Sequence, residues 1–231
     1  AVAGARLYMA QHGDTVAGRK IELIVRDDAS LPDNSKRITQ ELIVSEKVAT
    51  LGGGLTPNVL AIAPLVNESK TATVVMVSGT SIVTERSPYF VRTSWTHAQQ
   101  ASVLANWAAK NGSKRATIIA SDWAPGHEAS GVFSSSFTQA GGAIVEALKV
   151  PLANPDFAPF LQRARDGNPD TLFVFVPASQ AAILAKQFVE RGLDKSGIKL
   201  IGPGDIADDE DLPGMSDAII GTVTAGFYSA Y

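Results

Sequence analysis

Hydrophobic residues along this chain follow two rhythms that take turns. Short, nearly continuous apolar runs occur at Val48 to Leu51, Ala72-Thr-Val-Val-Met-Val77, Ala116-Thr-Ile-Ile-Ala120, Ala143 to Val150, Thr171-Leu-Phe-Val-Phe-Val176 and Ile198 to Ile201. Such runs predict parallel strands covered on both faces. Lys20-Ile-Glu-Leu-Ile-Val-Arg26 is predicted as a further strand, Tyr89 to Arg92 as a short one and Ile219 to Ala225 as the last. Between them apolar residues recur every three or four positions, which predicts helices. The first is a helix tail over Ala3 to Gln11; the next runs from Pro32 to about Lys47, and another from Pro57 to Ser69. Four more are expected: one capped by Thr96 and stopped at Gly112, then His127 to Gln139, Phe157 to Arg165, and Ser179 to Arg191. Strands alternating with helices imply βαβ units and parallel sheets. About nine strands exceed what one small doubly wound sheet needs. Two sheets dividing near Arg92 to Thr96 suit the count better.

The turns at strand ends carry the candidate chemistry. The run Val48 to Leu51 stops at Gly52-Gly53-Gly54, and Thr56-Pro57 then opens a helix, with Thr56 expected as its N-cap. Proline is favoured in a first helical turn, and glycines before it expose backbone N–H groups at the positive end of the helix dipole. This corner reads either as an anion site or as a tight βα turn. Ser78-Gly79-Thr80-Ser81 is a second cluster of small hydroxyl residues at a strand's carboxyl end, where ligands of open parallel sheets bind. Trp95 and Trp123 fall in loops just past strands; they sandwich a planar ligand or pack under the loop. Asp205, also at a strand end, suits an ammonium or hydroxyl group. Neutral donors (Thr56, Ser78, Thr80, Ser81) with one carboxylate suit recognition of a small acid without catalysis.

Composition narrows the classes. The chain has 231 residues, 45% hydrophobic, no cysteine and a formal charge of −3. No basic face is expected to meet nucleic acid, and no apolar run is long enough to span a membrane. The Gly-Lys-Ser/Thr phosphate loop and the Gly-x-Ser-x-Gly elbow do not occur, and Pro57 breaks a Gly-x-Gly-x-x-Gly reading. His12, His97 and His127 lack metal-ligand spacing and read as surface histidines at helix ends. Asp27-Asp28 reads as a turn-forming and N-capping pair, Asp208-Asp209-Glu210-Asp211 as a solvated loop, and Trp107 as core. No metal and no cofactor is expected. The helix tail starts without a cap or preceding strand, as in a chain cut from a longer one.

Gly18-Arg-Lys-Ile-Glu-Leu-Ile-Val-Arg-Asp-Asp28, Leu51-Gly-Gly-Gly-Leu-Thr56, Ser78-Gly-Thr-Ser81 and Ser87-Pro-Tyr-Phe-Val-Arg-Thr93 follow one another in an order that resembles a known family. Ser121-Asp-Trp-Ala-Pro-Gly126, Asn154-Pro-Asp-Phe-Ala-Pro-Phe160 and Gly202-Pro-Gly-Asp205 continue it. The family is the type I periplasmic solute-binding proteins of ABC importers, branched-chain amino-acid (Leu/Ile/Val) type, and the similarity covers essentially the whole chain. The resemblance implies an α/β fold of two lobes, each a parallel sheet flanked by helices, closing on a ligand like a hinged clamp. By position Thr56 matches the hydroxyl that binds the ligand carboxylate, and Ser78 and Thr80 match the next contact pair. Where the family often has a tyrosine, Trp123 or Pro125 stands here. The Pro177-Ala178 loop lacks the usual aromatic contact. Gly204, beside Asp205, falls where amino-acid binders carry a glutamate. With Ser78-Gly-Thr-Ser, Arg92-Thr-Ser-Trp95 and Asp122-Trp-Ala-Pro-Gly, these departures resemble the subgroup that takes aromatic carboxylates.

The resemblance further implies lobe 1 over 1–94, lacking a first strand and a C-terminal return segment. It places lobe 2 over 95–227 and the start of a return crossover over 228–231. The expected function is an extracytoplasmic, periplasmic binding module passing a small carboxylate (an aromatic acid, or next a branched-chain amino acid) to ABC importer membrane subunits. Its ligand residues are Thr56, Ser78, Thr80 and Ser81 from lobe 1, with Trp95, Trp123, Pro125, Ala178 and Asp205. No membrane insertion, nucleic acid or catalysis is expected. A ligand-sensing regulatory or receptor domain on the same fold is the alternative, and an α/β enzyme using Asp27 or Asp205 as base comes after it.

Overall fold

The computed structural model describes residues 2–207 and 212–226. The acidic run Asp208 to Asp211 and the expected crossover 228–231 lie outside the described residues. The chain separates into two compact units, Ala1–Ser94 and Trp95–Tyr231.

The first unit holds α1 (Val2–His12), a two-stranded antiparallel ribbon of β1 (Thr15–Val16) and β2 (Arg19–Lys20), then α2 (Pro32–Val44) and β3 (Thr50–Gly53). It continues through α3 (Thr56–Ser69), β4 (Ala72–Val75), a 3₁₀ turn at Ser81–Glu85 and β5 (Phe90–Arg92). β3, β4 and β5 form a parallel sheet in that order, with Leu51 opposite Thr73 and Val74 opposite Val91. Its core joins Leu51, Val59, Val66, Val75, Val83 and Phe90. Apart from Val83 of the 3₁₀ turn, these are the apolar stripe of α3 and the inward positions of the strands, as the periodicity requires.

The strand expected over Lys20 to Arg26 is not formed. Only Arg19–Lys20 pairs, with Thr15–Val16, and Ile21 to Asp28 joins no ladder among the described residues. Ile21, Leu23 and Val25 are 42%, 41% and 41% exposed. Alternating apolar positions make a segment fit for a sheet, but a strand exists only where a neighbour accepts its backbone hydrogen bonds.

The second unit is a doubly wound sheet. α4 (His97–Lys110), β6 (Arg115–Ser121), α5 (Ala124–Gln139), β7 (Ala143–Val150), α6 (Ala158–Asp166) and β8 (Thr171–Phe175) follow in alternation. α7 (Ala178–Glu190), β9 (Lys199–Pro203) and β10 (Val223–Ala225) complete it. All five strands are parallel in the order β10-β9-β8-β6-β7. β6 and β8 are therefore neighbours where the winding reverses, the place such sheets use for ligands. Side chains alternate across the sheet. Ala116, Ile118, Ala120, Phe173 and Phe175 pack with α4 and α5, whereas Ile119, Leu172, Val174 and Val176 pack with α6 and α7. On the first face Phe133 of α5 stacks on Phe173 at 4.2 Å between ring centroids.

Several boundaries move from their sequence expectations. α5 begins at Ala124, three residues before His127, because Pro125 occupies its first turn, where a missing N–H costs nothing. Ala178 is the first residue of α7 instead of a loop residue, and the last strand is only Val223–Ala225, preceded by a 3₁₀ turn at Ser216–Ile219. Thr96 caps α4 as expected, in a full capping box with Gln99.

Candidate functional site

In the first unit the candidate residues collect where β3 and β4 end. Gly53 and Gly54 have φ of +113° and +84°, and a Cβ on Gly54 would meet Val59 Cγ2 at 2.4 Å, so only glycine lets the chain turn into α3 here. The helix starts one residue earlier than expected. Leu55, extended at φ −73° and ψ 161°, is the N-cap, and its carbonyl accepts from Val59 N–H at 2.9 Å. Thr56 is thus inside the first turn and caps nothing. Its hydroxyl instead lies 3.3 Å from the Thr80 hydroxyl. At most one proton is committed between the two, so the pair keeps a donor for a third group.

Ser78 is fully buried and donates to the Gly54 carbonyl at 2.9 Å, tying the second hydroxyl turn to the glycine turn. That bond leaves the Ser78 hydroxyl lone pairs, not its proton, for other partners. Ser81 is exposed at the start of the 3₁₀ turn. Arg92, the last residue of β5, donates to the carbonyls of Ser78, of Thr80 at 2.6 Å and of Ser81 at 3.5 Å.

On another flank of α3, Asp28 accepts from Ser35 Oγ at 2.6 Å, from Asn58 Nδ2 at 2.8 Å and from Ser30 N–H at 2.9 Å. The Ser35 bond foremost, then those from Ser30 and Asn58, hold its carboxyl below the ordinary carboxylate value, while burial opposes the shift. Ala29 N–H donates to Asp27 at 2.8 Å. Asp27-Asp28 forms the turn expected but does not cap α2, whose N-cap is Leu31 without a side-chain hydrogen bond; Asp28 instead ties this turn to α2 and α3.

In the second unit Trp123, Ala178 and Asp205 follow β6, β8 and β9 in turn, at the carboxyl edge of adjacent strands. Trp123 is the N-cap of α5, half-buried against the aromatic face of the core, and its indole N–H is buried without a hydrogen-bond partner among the described residues. Pro125 is buried in the first turn of α5, and a half-buried Asp205 lies in a 3₁₀ turn at Gly204–Ala207. Asp122 accepts from His127 Nε2 at 2.6 Å with Lys149 Nζ at 3.9 Å. His97 corrects its surface assignment: it is half-buried, edge-on to Phe175 at 4.9 Å. Phe175 ends β8, so the start of α4, with a half-buried Trp95 just before it, also lies at this edge. Trp107 packs partly buried against the core, as expected. Among the described residues no cluster of His, Asp and Glu could hold a metal, and no helix is long and apolar enough to cross a membrane.

The hydroxyl corner lies at the carboxyl end of one parallel sheet and Trp123, Ala178 and Asp205 at that of the other, and the periplasmic binding protein family matches residues 1–231. The chain belongs to the periplasmic binding protein family. Leu/Ile/Val-binding protein homolog 6 of Brucella suis is 38% identical over 230 residues, 98% of this chain and 59% of its own length. Among solved members of the family, a solute-binding protein of an ABC transporter from Rhodopseudomonas palustris BisB5, in complex with 3,4-dihydroxybenzoic acid, is 59% identical with a TM-score of 0.83. A second R. palustris solute-binding protein, in complex with 4-hydroxybenzoate, is 40% identical with a TM-score of 0.86. Both matches cover 93% of this chain and 59% of the other. The chain therefore spans about three fifths of the length of these relatives.

Arg92 also belongs to this corner, although no local motif gives it a role. Its partners lie 11 to 14 positions earlier, beyond any local pattern. The one available signal was a cation ending an apolar strand, next to hydroxyl residues.

Proposed function

We propose that this chain forms the ligand-recognition part of an extracytoplasmic solute-binding protein that delivers a small aromatic carboxylate, unaltered, to an ABC importer. The observation that carries the reading is the Thr56–Thr80 hydroxyl pair at 3.3 Å on the first turn of α3. Two hydroxyls sharing at most one proton, at a helix N-terminus reached through a glycine turn, are preorganised donors for a carboxylate. Ser78 braces the turn, and Ser81 continues the same hydroxyl-rich corner. On the second unit Trp95 and Trp123 suit the faces and edges of an aromatic ring. Asp205 suits a ring hydroxyl, and Pro125 and Ala178 suit its apolar sides. The relatives that hold 3,4-dihydroxybenzoic acid and 4-hydroxybenzoate support this ligand class over an amino acid, and the family points to the periplasm as the place of work.

Calorimetry with 4-hydroxybenzoate, 3,4-dihydroxybenzoate, benzoate and leucine tests the reading. The aromatic acids are expected to bind more tightly than leucine and to be recovered with unchanged mass. Thr56→Ala is expected to weaken the acids tenfold or more, since a hydrogen bond to a charged group contributes about 1.5–3 kcal/mol. Tighter binding of leucine, or unchanged affinity in Thr56→Ala, would refute it.

A further inference from the structure

Arg92 donates to three carbonyls of the Ser78–Ser81 segment, those of Ser78, Thr80 and Ser81. It is placed to do so by register, because it stands opposite Val75, the last residue of β4, from whose end the segment emerges. Ser94 Oγ adds a fourth hydrogen bond, to the Ser78 carbonyl at 3.4 Å. A trans peptide unit carries its N–H on the side opposite its C=O. Each carbonyl drawn to the guanidinium therefore turns the N–H of the following residue away, at Gly79, Ser81 and Ile82. Thr80 is buried, with its hydroxyl directed to Thr56.

We infer that Arg92 is a positioning residue for acid recognition: by gathering these carbonyls it removes their negative ends from the corner and orients the segment so that donors face a bound carboxylate. The guanidinium does this because its planar fork spans several acceptors at once; a lysine ammonium has the charge without the span. The inference rests on the carboxylate reading above, and Arg92 need not touch the ligand.

The test compares wild type, Arg92→Lys and Arg92→Ala by calorimetry with 4-hydroxybenzoate and by amide hydrogen exchange of the ligand-free protein. Arg92→Lys is expected to lose about tenfold or more in affinity, as a charge-preserving change at a multiply bonded site is not conservative. Exchange over 78–82 should accelerate in both variants, while the β6 and β8 amides, in the other unit, keep wild-type protection. Wild-type affinity in Arg92→Lys would overturn the inference and leave the functional reading intact. A global loss of protection in Arg92→Lys would also overturn it, in favour of a purely structural role. If wild type itself binds none of the aromatic acids, the functional reading falls, and this inference with it.

Discussion

Asp28 shows how much one side chain organises in the first unit. Its hydrogen bonds from Ser35 and Asn58 bring the turn after Ile21 to Arg26 onto α2 and α3. Those bonds favour the ionised form, so the folded carboxyl titrates below its ordinary 3.8. The stabilisation is complete above the unfolded value and is lost as pH falls through the lower folded value, below about pH 4. Asp28→Asn is expected to lower stability at neutral pH by about 1–2 kcal/mol, the difference between a charged and a neutral acceptor. It should also flatten the acid limb of the stability profile. Urea unfolding by far-UV circular dichroism at pH 7 and pH 3 checks both; matching profiles in variant and wild type would refute the assignment. Thr56 could be singled out in the sequence because a hydroxyl beside Pro57 marks a helix start. The bond it makes, to a residue 24 positions away, could not.

At the level of elements, the junction of β6 with α5 is the tightest constraint near the second unit's candidate residues. A Cβ on Gly126 would sit 2.1 Å from the Ser121 carbonyl and 3.3 Å from the Trp123 ring. Gly126→Ala gains up to about 1 kcal/mol in helix propensity but must push the start of α5 off the end of β6. A net loss of about 1–3 kcal/mol is expected, with a shifted Trp123 emission; equal or greater stability would show that the junction yields freely. The succession of strands and helices was legible because each carries its own period of apolar positions. Thr96 with Gln99 was legible because a capping box is local. The start of α5 was missed because Pro125 and Gly126 read as loop residues, whereas a first helical turn tolerates both. The segment after Lys20 was misread because its strand character depends on a partner that its own residues do not encode.

For the molecule as a whole, the division between Ser94 and Trp95 places Trp95, Trp107 and Trp123 all in the second unit. Tryptophan fluorescence thus follows that unit alone, while far-UV circular dichroism follows both. A hundredfold excess of 4-hydroxybenzoate over Kd is expected to raise the transition in which binding is lost by about 2.7 kcal/mol. No shift in either transition would refute the carboxylate reading, and leucine at equal concentration should give a smaller shift.

Read without coordinates, the chain already declared its α/β alternation, its two sheets, the glycine and hydroxyl corners at strand ends and the lack of a catalytic motif. All of these are written in spacings of a few residues, where backbone periodicity and turn chemistry act. Tertiary structure decided which hydroxyls meet, which carbonyls Arg92 gathers, what holds Asp28 ionised, and that Ile21 to Asp28 forms no ladder. Those outcomes depend on groups far apart in the chain, and hydrogen bonds a few ångströms long exist only once packing has brought both ends together.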